Sequence, residues 1–562
     1  MGGKVIISVV SLILVVGVVI GAVAVVRNGH NENSSSSSSG TSMKSVTTFC
    51  DPTPFKDVCA KSVASVANNA SATPKDYLIA ALQATVEEVK KGLEVAEKTK
   101  IDDKNDAYHH TAVEDCKELL GYAVDELQAA LTSVGDSQLH TLNDRVDELL
   151  NWLSAVYTYQ ASCIDEFENP EYKSAFQNGL LNATQLTNNA VDIVAGLSDL
   201  LKSFNIPVQL PQARKLLEAG SEMGHDGFPT WFQAADRKLL AHRPNRLVPN
   251  AVVAKDGSGK FRTITDALRA YPPKFAGRYI IYVKAGVYEE NVIVDKKQTN
   301  VYIYGDGAGR TIVTGHKNYG IMHVQTSNTA TFAALGDGFI ARGMTFRNTA
   351  GPEGHQAVAL RLQSDMSAVF DCSIEGFQDT LYYQVHRQFY RNCVISGTID
   401  FIFGKGSAVI QNSLIIVRRG LPSQFNTVTA DGKELQNDRT GVVLQNCRIV
   451  AGRDLGPVRF QVPTFLGRPW KQFAKTVIMQ SELGDLIRPE GYRKWDGASY
   501  ENTCEYLEFA NRGPAANLAL RNKTFKKSRG MTARDAGMYT VNAFIQGAAW
   551  LRRTGVPFVG GL

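Results

Sequence analysis

Two aspartates, Asp379 and Asp400, stand 21 residues apart in this 562-residue chain. A short motif repeats around them with nearly that period, Asp371-Cys372-Ser373-Ile374, Asn392-Cys393-Val394-Ile395 and Asn412-Ser413-Leu414-Ile415, and returns after a longer interval with an apparent inserted loop as Asn446-Cys447-Arg448-Ile449. A repeat of this length, in short strands cut by Gly, Asn and Asp, predicts the coils of a parallel β-helix. Residues one coil apart stack at the strand spacing of about 4.8 Å. Two carboxylates stacked that closely do not ionise equally easily, so one is held protonated while the other stays charged. A nucleophile beside a general acid is the natural use of such a pair. Separation by about 5 Å also suits a retaining glycosidase, so ester and glycoside chemistry both remain open on spacing alone. Aspartates in turns with no catalytic role are the plainer reading, and the register argument is what weighs against it.

Other chemistries lack their residues. The chain has no Gly-x-Ser-x-Gly elbow, no His-Glu-x-x-His, no Cys-x-x-Cys and no complete phosphate loop. Gly305-Asp306-Gly307-Ala308-Gly309 has the wrong spacing for a dinucleotide fingerprint and reads as a turn, and the ten histidines do not cluster at ligand spacings.

The elements that position the aspartates belong to the second half of a two-part chain. Residues 41–240 hold 17 Lys and Arg against 29 Asp and Glu, a net of −12, whereas residues 241–562 hold 41 against 25, a net of +16. In the acidic half, apolar residues recur at three- and four-residue spacing: Tyr77, Leu78, Leu82, Val86 and Val89, then Leu119, Leu120, Ala123 and Leu127, then Leu149, Leu150, Leu153 and Val156. That period predicts an all-α up-and-down helical bundle. Its four cysteines, Cys50, Cys59, Cys116 and Cys163, admit three pairings; their spacing suggests a short N-terminal clip and a helix-to-helix staple. The basic half predicts an all-β fold, and its charge suits an extracellular polyanion better than nucleic acid. Opposite charges of this size also predict that the halves associate.

The N-terminus supplies the address. Val5 to Val26 is an uncharged apolar run whose helix would span about 33 Å, enough for a bilayer core of about 30 Å. A membrane signal anchor, or a cleaved signal peptide, is therefore expected over residues 1–27, followed by a Ser-rich linker at 28–45. Either sends the chain into the secretory pathway, in keeping with sequons at Asn33, Asn69, Asn182 and Asn522. The bundle is expected at 46–204. A processing linker at 205–243 carries Arg214-Lys215-Leu216-Leu217 and Arg237-Lys238-Leu239-Leu240, dibasic sites open to a protease. The β-helix is expected at 244–562.

Five blocks in the basic half occur in a specific order: Gly286-Val287-Tyr288-Glu289-Glu290, Gln356-Ala357-Val358-Ala359-Leu360, Gln378-Asp379-Thr380-Leu381-Tyr382, Asp400-Phe401-Ile402-Phe403-Gly404 and Leu466-Gly467-Arg468-Pro469-Trp470. Together they resemble the plant pectin methylesterases, and the four-cysteine half is similar to the pectin methylesterase inhibitor domain that precedes the enzyme in the longer members. The resemblance implies a right-handed parallel β-helix that hydrolyses methyl esters of homogalacturonan in the cell wall, giving pectate and methanol without metal or organic cofactor. It implies Asp400 as nucleophile, Asp379 as proton donor, and Gln378 and Gln356 as oxyanion donors. It also implies Arg468 orienting Asp400, Trp470 as a sugar-stacking face and Thr326 as a substrate contact. The Arg-Lys-Leu-Leu tetrads match sites where a subtilisin-like protease releases the enzyme, and the implied partners are pectin and inhibitor proteins or the chain's own pro-domain, which is expected to hold the enzyme inactive until cleavage. Three positions depart from the pattern. Ser413 stands where many relatives have a cysteine paired to that of Cys393, leaving Cys393 a free thiol or a partner for Cys372; Lys405 stands where relatives usually have Asn; and Gln384 replaces a common histidine.

Overall fold

The computed structural model describes residues 45–69, 71–101, 106–204, 206 and 247–562. The apolar run at 5–26, the sequon at Asn33 and both Arg-Lys-Leu-Leu tetrads lie outside the described residues.

The acidic half is an antiparallel helical bundle. Thr73 and Asp76 form a reciprocal capping box at the start of the helix Pro74–Lys98, and Pro74 takes the first helical position, where its missing N–H costs nothing. The helices Ala107–Asp136 and Leu181–Ala195 pack against it, and Val146–Asp165 packs against both of those, with Leu120, Leu127, Leu149, Leu153 and Val194 fully buried. Cys50 bridges to Cys59, and Cys116 on one helix to Cys163 on the next. The helix Val146–Asp165 also buries Thr158, Gln160 and Ser162, so it is covered on more than one side. Asn69 and Asn182 are exposed, and Asn522 is half-buried.

The basic half is a parallel β-helix. Its strands form three sheets of 11, 7 and 8 strands, each coil contributing in turn to the sheets. The recurring Asp/Asn motif marks one corner. Asp371, Asn392, Asn412 and Asn446 all have φ between 51° and 55°, the left-handed region that Asn and Asp tolerate best. Their side chains form a ladder: Asn392 donates to Asp371, Asn412 to Asn392 and Asn446 to Asn412. The residue after each corner turns inward, which is why Cys372, Cys393, Ser413 and Cys447 are buried. Cys372 and Cys393 are free thiols, as are Cys447 and Cys504. The Ser413 hydroxyl accepts the Cys393 N–H at 3.1 Å, so the serine contributes a hydrogen bond where a bridge is absent.

Stacking in register builds the core. Val369, Tyr390, Ile410, Leu444 and Ile478 form one inward row across five coils. The alternate row, Phe389, Val409, Val443, Val477 and Leu507, faces outward and is covered by the C-terminal segment through Val541, Phe544, Trp550 and Leu551. At the other end the helix Ile264–Arg269 packs Ile264, Ala267 and Leu268 into the core. The two halves thus have separate main hydrophobic cores; among the described residues Val385 and Leu435 of the β-helix join the bundle's, and Tyr122 of the bundle packs against a small apolar cluster of the β-helix.

The staple between Cys116 and Cys163 closes a separation of 47 residues. Replacing both with serine should lower the stability of the helical half by about 4 kcal/mol, through the wider unfolded ensemble. Denaturant unfolding followed by helical circular dichroism should shift for that half and leave the β-helix transition in place. An unshifted helical transition would contradict the assignment.

Candidate active site

The seven-stranded sheet carries the site. Leu381–Tyr383 pairs with Ile402–Gly404 in the register Leu381 to Ile402, so Asp379 and Asp400, each two residues before its strand, occupy equivalent positions on successive coils. Both adopt the left-handed conformation, at φ 61° and 51°. The Asp379 N–H donates to the Ile399 carbonyl at 3.1 Å, and the Asp400 N–H to the Thr427 hydroxyl at 2.8 Å. The Thr427 hydroxyl donates back to Asp400 Oδ1 at 2.6 Å.

Different partners separate the two carboxyls. Arg468 sits just past the strand Thr464–Gly467, where its N–H is held by the Thr429 carbonyl. Its Nε lies 2.9 and 3.1 Å from the two Asp400 oxygens and its Nη2 2.6 Å from Oδ2, a forked ion pair. The guanidinium also stacks 4.2 Å from the Trp495 ring. Among the described residues Asp379 has no such partner. Burial, and then the charge of Asp400, push its carboxyl well above the usual range, with Arg468 only partly opposing.

The remaining residues expected at the site, Thr326, Gln356, Gln378 and Trp470, line the same cavity of about 270 Å³ as both aspartates and Arg468. Among the described residues the side-chain amides of Gln356 and Gln378 have no hydrogen-bond partner; only their backbone carbonyls are engaged, by Tyr319 and Ala357. Thr326 opens the turn Thr326–Thr329. The Trp470 ring packs edge-on to Phe403 at 6.0 Å, and Phe403 stacks on Tyr382 at 4.4 Å. Tyr382, Phe403 and Trp495 also form the cavity's wall; the sequence motifs contain Tyr382 and Phe403 without marking them as wall residues. A signal for two of them was present, since each aspartate is followed three residues later by an aromatic that must lie one coil from the other. The departures from the pattern are also placed: the Gln384 side chain accepts from Arg361 Nε at 2.6 Å, and Lys405 Nζ lies 5.0 Å from the Trp470 ring.

The helical half closes this cavity. Tyr108, Ser162, Asp165 and Glu166 line it together with the aspartates. Carboxylates of the bundle meet donors of the β-helix across the whole contact: Asp115 with Asn328, Glu166 with Ser327, Glu168 with Tyr319, Asp165 with Lys405 and Lys471, Glu126 with His386 and Lys296, Asp192 with Asn437, and Asp147 with Arg439.

Fold and cavity together describe a parallel β-helix with an aspartate pair, lidded by an acidic bundle, and comparison with known proteins places this arrangement. The family described as Pectinesterase matches residues 250–548, and that described as Plant invertase/pectin methylesterase inhibitor matches residues 44–193. The chain is 40% identical to "Pectinesterase 4" of Arabidopsis thaliana over 601 aligned residues, and 38% identical to a "Probable pectinesterase/pectinesterase inhibitor" of Brassica napus over 588, covering 100% of both partners in each case. The solved pectin methylesterase from carrot is 46% identical, with a TM-score of 0.55, over 56% of this chain and 99% of that one. The chain belongs to the pectinesterase family, with an inhibitor-type helical domain ahead of a carboxylic ester hydrolase.

The interface carboxyls give the contact a pH dependence. Burial is the main cause that raises Asp115 to about 6 and Glu166 to about 8. Both pack against the turn Thr326–Thr329, so each takes up a proton as the halves meet. Docking is therefore strongest near the ordinary carboxyl range and weakens as pH rises through 6 and 8. His386 acts in the same direction: burial works against its charge, but Glu126 outweighs that and raises it. Glu126 and Asp165 are lowered and titrate below this window. Calorimetry on the halves, separated after cleavage in 207–246, should show the dissociation constant rising at least about tenfold from pH 5 to pH 8. Equal or tighter binding at pH 8 would contradict this origin.

Proposed function

We propose that the β-helix hydrolyses methyl esters of homogalacturonan to pectate and methanol through an acyl-enzyme on Asp400. The observation that carries this reading is the asymmetry of the pair: Asp400 is fork-bound to Arg468, while Asp379 is buried, raised and, among the described residues, without an ion-pair partner. Asp400 Oδ attacks the C6 carbonyl of a methyl galacturonate, and the carbonyl electrons move onto its oxygen. The unengaged amides of Gln378 and Gln356 donate to that oxyanion; being neutral, they do so without shifting either carboxyl. Collapse breaks the bond to the methoxy oxygen, which takes the Asp379 proton and leaves as methanol. Water then attacks the acyl carbon, returns one proton to Asp379 and frees Asp400 as its carboxylate, leaving a galacturonic acid that gives its remaining proton to solvent. Trp470 offers the sugar its face, with Phe403 behind it, and Thr326 contacts the chain from the other wall.

The same reading assigns the bundle a restraining role. It closes the cavity with Tyr108, Ser162, Asp165 and Glu166, so the polymer reaches the aspartates only after the bundle departs. Cleavage at either Arg-Lys-Leu-Leu tetrad by a subtilisin-like protease permits that release, and free inhibitor proteins of the same type occupy the same face. In this reading the precursor enters the secretory pathway through its apolar N-terminus, is glycosylated at sequons such as Asn69 and Asn182, and delivers the enzyme to the cell wall. A glycosidase using the same pair is disfavoured by the two free amides and by Arg468, which suit an ester oxyanion and a fixed nucleophile.

On highly methylated pectin, the separated β-helix should release methanol and no new reducing ends. Asp400→Asn should reduce the rate by at least about 10⁴-fold and Asp379→Asn by about 10²–10⁴-fold, the range for a nucleophile and for general acid catalysis. The intact chain should be slower than the separated enzyme. Reducing ends from the wild type, or methanol release that survives Asp400→Asn, would overturn the assignment.

A further inference from the structure

The register that stacks the two aspartates also stacks a pair of cations. Gly467 bridges in parallel to Tyr492, so Arg468 and Arg493, the next residues along, occupy equivalent positions on successive coils. The Arg493 N–H donates to the Gly467 carbonyl at 3.0 Å, which fixes that alignment. The two arginines therefore leave the backbone about 4.8 Å apart. Like charges directly opposite one another repel. Phe425 packs against both, its ring centre 5.2 Å from the Arg468 guanidinium and 4.0 Å from that of Arg493.

Asp496 is the anion that joins them. Its Oδ2 lies 3.6 Å from Arg468 Nη1, and Arg493 Nη2 lies 3.0 and 3.3 Å from its two oxygens. Arg468 turns its other edge, Nε and Nη2, to Asp400, so all three of its nitrogens face a carboxylate. Nucleophile, arginine, aspartate and second arginine thus form a row of alternating charge. Among the described residues Asp496 is the only carboxylate within ion-pair distance of Arg493, whose Nε is buried without a hydrogen-bond partner. Burial works against the charge on Arg468, but Asp400 outweighs it, and Asp379 and Asp496 add to the effect. Trp495, the residue before Asp496, covers the Arg468 guanidinium at 4.2 Å. The short segment from Arg493 to Asp496 thus brings a cation, a ring and an anion to the residue that orients the nucleophile.

We infer that Asp496 is a positioning residue for the ester hydrolysis: by engaging Arg468 Nη1 and neutralising Arg493, it keeps the Nε and Nη2 edge of Arg468 on Asp400. This rests on the esterase reading of the aspartate pair. Without that carboxylate, Arg493 presses its charge on Arg468, and the guanidinium tilts out of the fork that orients the nucleophile. Arg468 and Trp495 line the cavity and Asp496 does not, so the effect falls on the chemical step rather than on binding of the polymer. The Asp496 side chain is 68% exposed, so replacing it disturbs no core, and its contribution has the modest size of a solvent-facing ion pair.

The test measures methanol release from highly methylated pectin by the β-helix half obtained from the cleaved full chain. Asp496→Asn should lower kcat about fivefold and leave KM within about twofold, the upper range for an exposed ion pair acting on the chemical step. Asp496→Glu should retain most of the activity. The decisive variant combines Asp496→Asn with Arg493→Gln, which removes the repelling charge together with its counterion. Its kcat should return to within about twofold of wild type, a non-additive result that a merely structural aspartate would not give. Losses that add in the double variant overturn the inference, as does an unchanged kcat in Asp496→Asn or a loss carried by KM alone. Absence of methanol with wild type would instead defeat the esterase reading itself.

Discussion

Hydrogen bonding between the strands Leu381–Tyr383 and Ile402–Gly404 is the constraint on which the cavity depends. It fixes Asp379 above Asp400 at one coil's rise, and no side-chain adjustment can undo that spacing without unzipping the ladder. From that enforced proximity follows the division of roles. A second charge is costly beside the first, and Arg468 reaches across from the strand Thr464–Gly467 to engage only one of the two. The left-handed turn at each aspartate, locked by Ile399 and Thr427, holds the carboxyls on the cavity side of the coil. The repeat that closes the hydrophobic core thus also sets the separation of the two carboxyls.

A second consequence is electrostatic. A cavity meant for a polyanionic chain must be rimmed with donors and cations, and such a rim attracts any acidic surface. The bundle exploits this with seven carboxylates against seven groups of donors, and Asp165 goes furthest, entering the cavity between two lysines. In the proposed reading, recognition of the substrate and restraint by the bundle draw on the same charges. Release need not remodel the enzyme, because the β-helix keeps its own core whether or not the bundle is present.

Much of this was legible in the sequence, for physical reasons. The 20–21-residue period showed because each corner demands a residue tolerant of positive φ, and Asn or Asp supplied it four times. The bundle showed because a helix buried on one face writes a 3.6-residue period. The opposite charges of the halves predicted their contact. Other features were not legible. The choice of Asp115, Asp165 and Glu166 as the cavity-facing carboxylates depends on how one folded body sits on another, and no local pattern encodes that. Trp495 escaped because it comes from a loop outside the repeat, and it is placed by the guanidinium it covers. Tyr382 and Phe403 could have been found from the period, had it been carried three residues past each aspartate.

The central claim is that the coil register holds one aspartate protonated beside a charged neighbour at neutral pH. Infrared difference spectroscopy of the separated β-helix at pH 7, wild type minus Asp379→Asn, tests it most directly. The account predicts the loss of a protonated-carboxyl band that persists in wild type well above the ordinary carboxyl range. Loss of a carboxylate band in its place would show that Asp379 is ionised, and the division of roles between the two aspartates would fail.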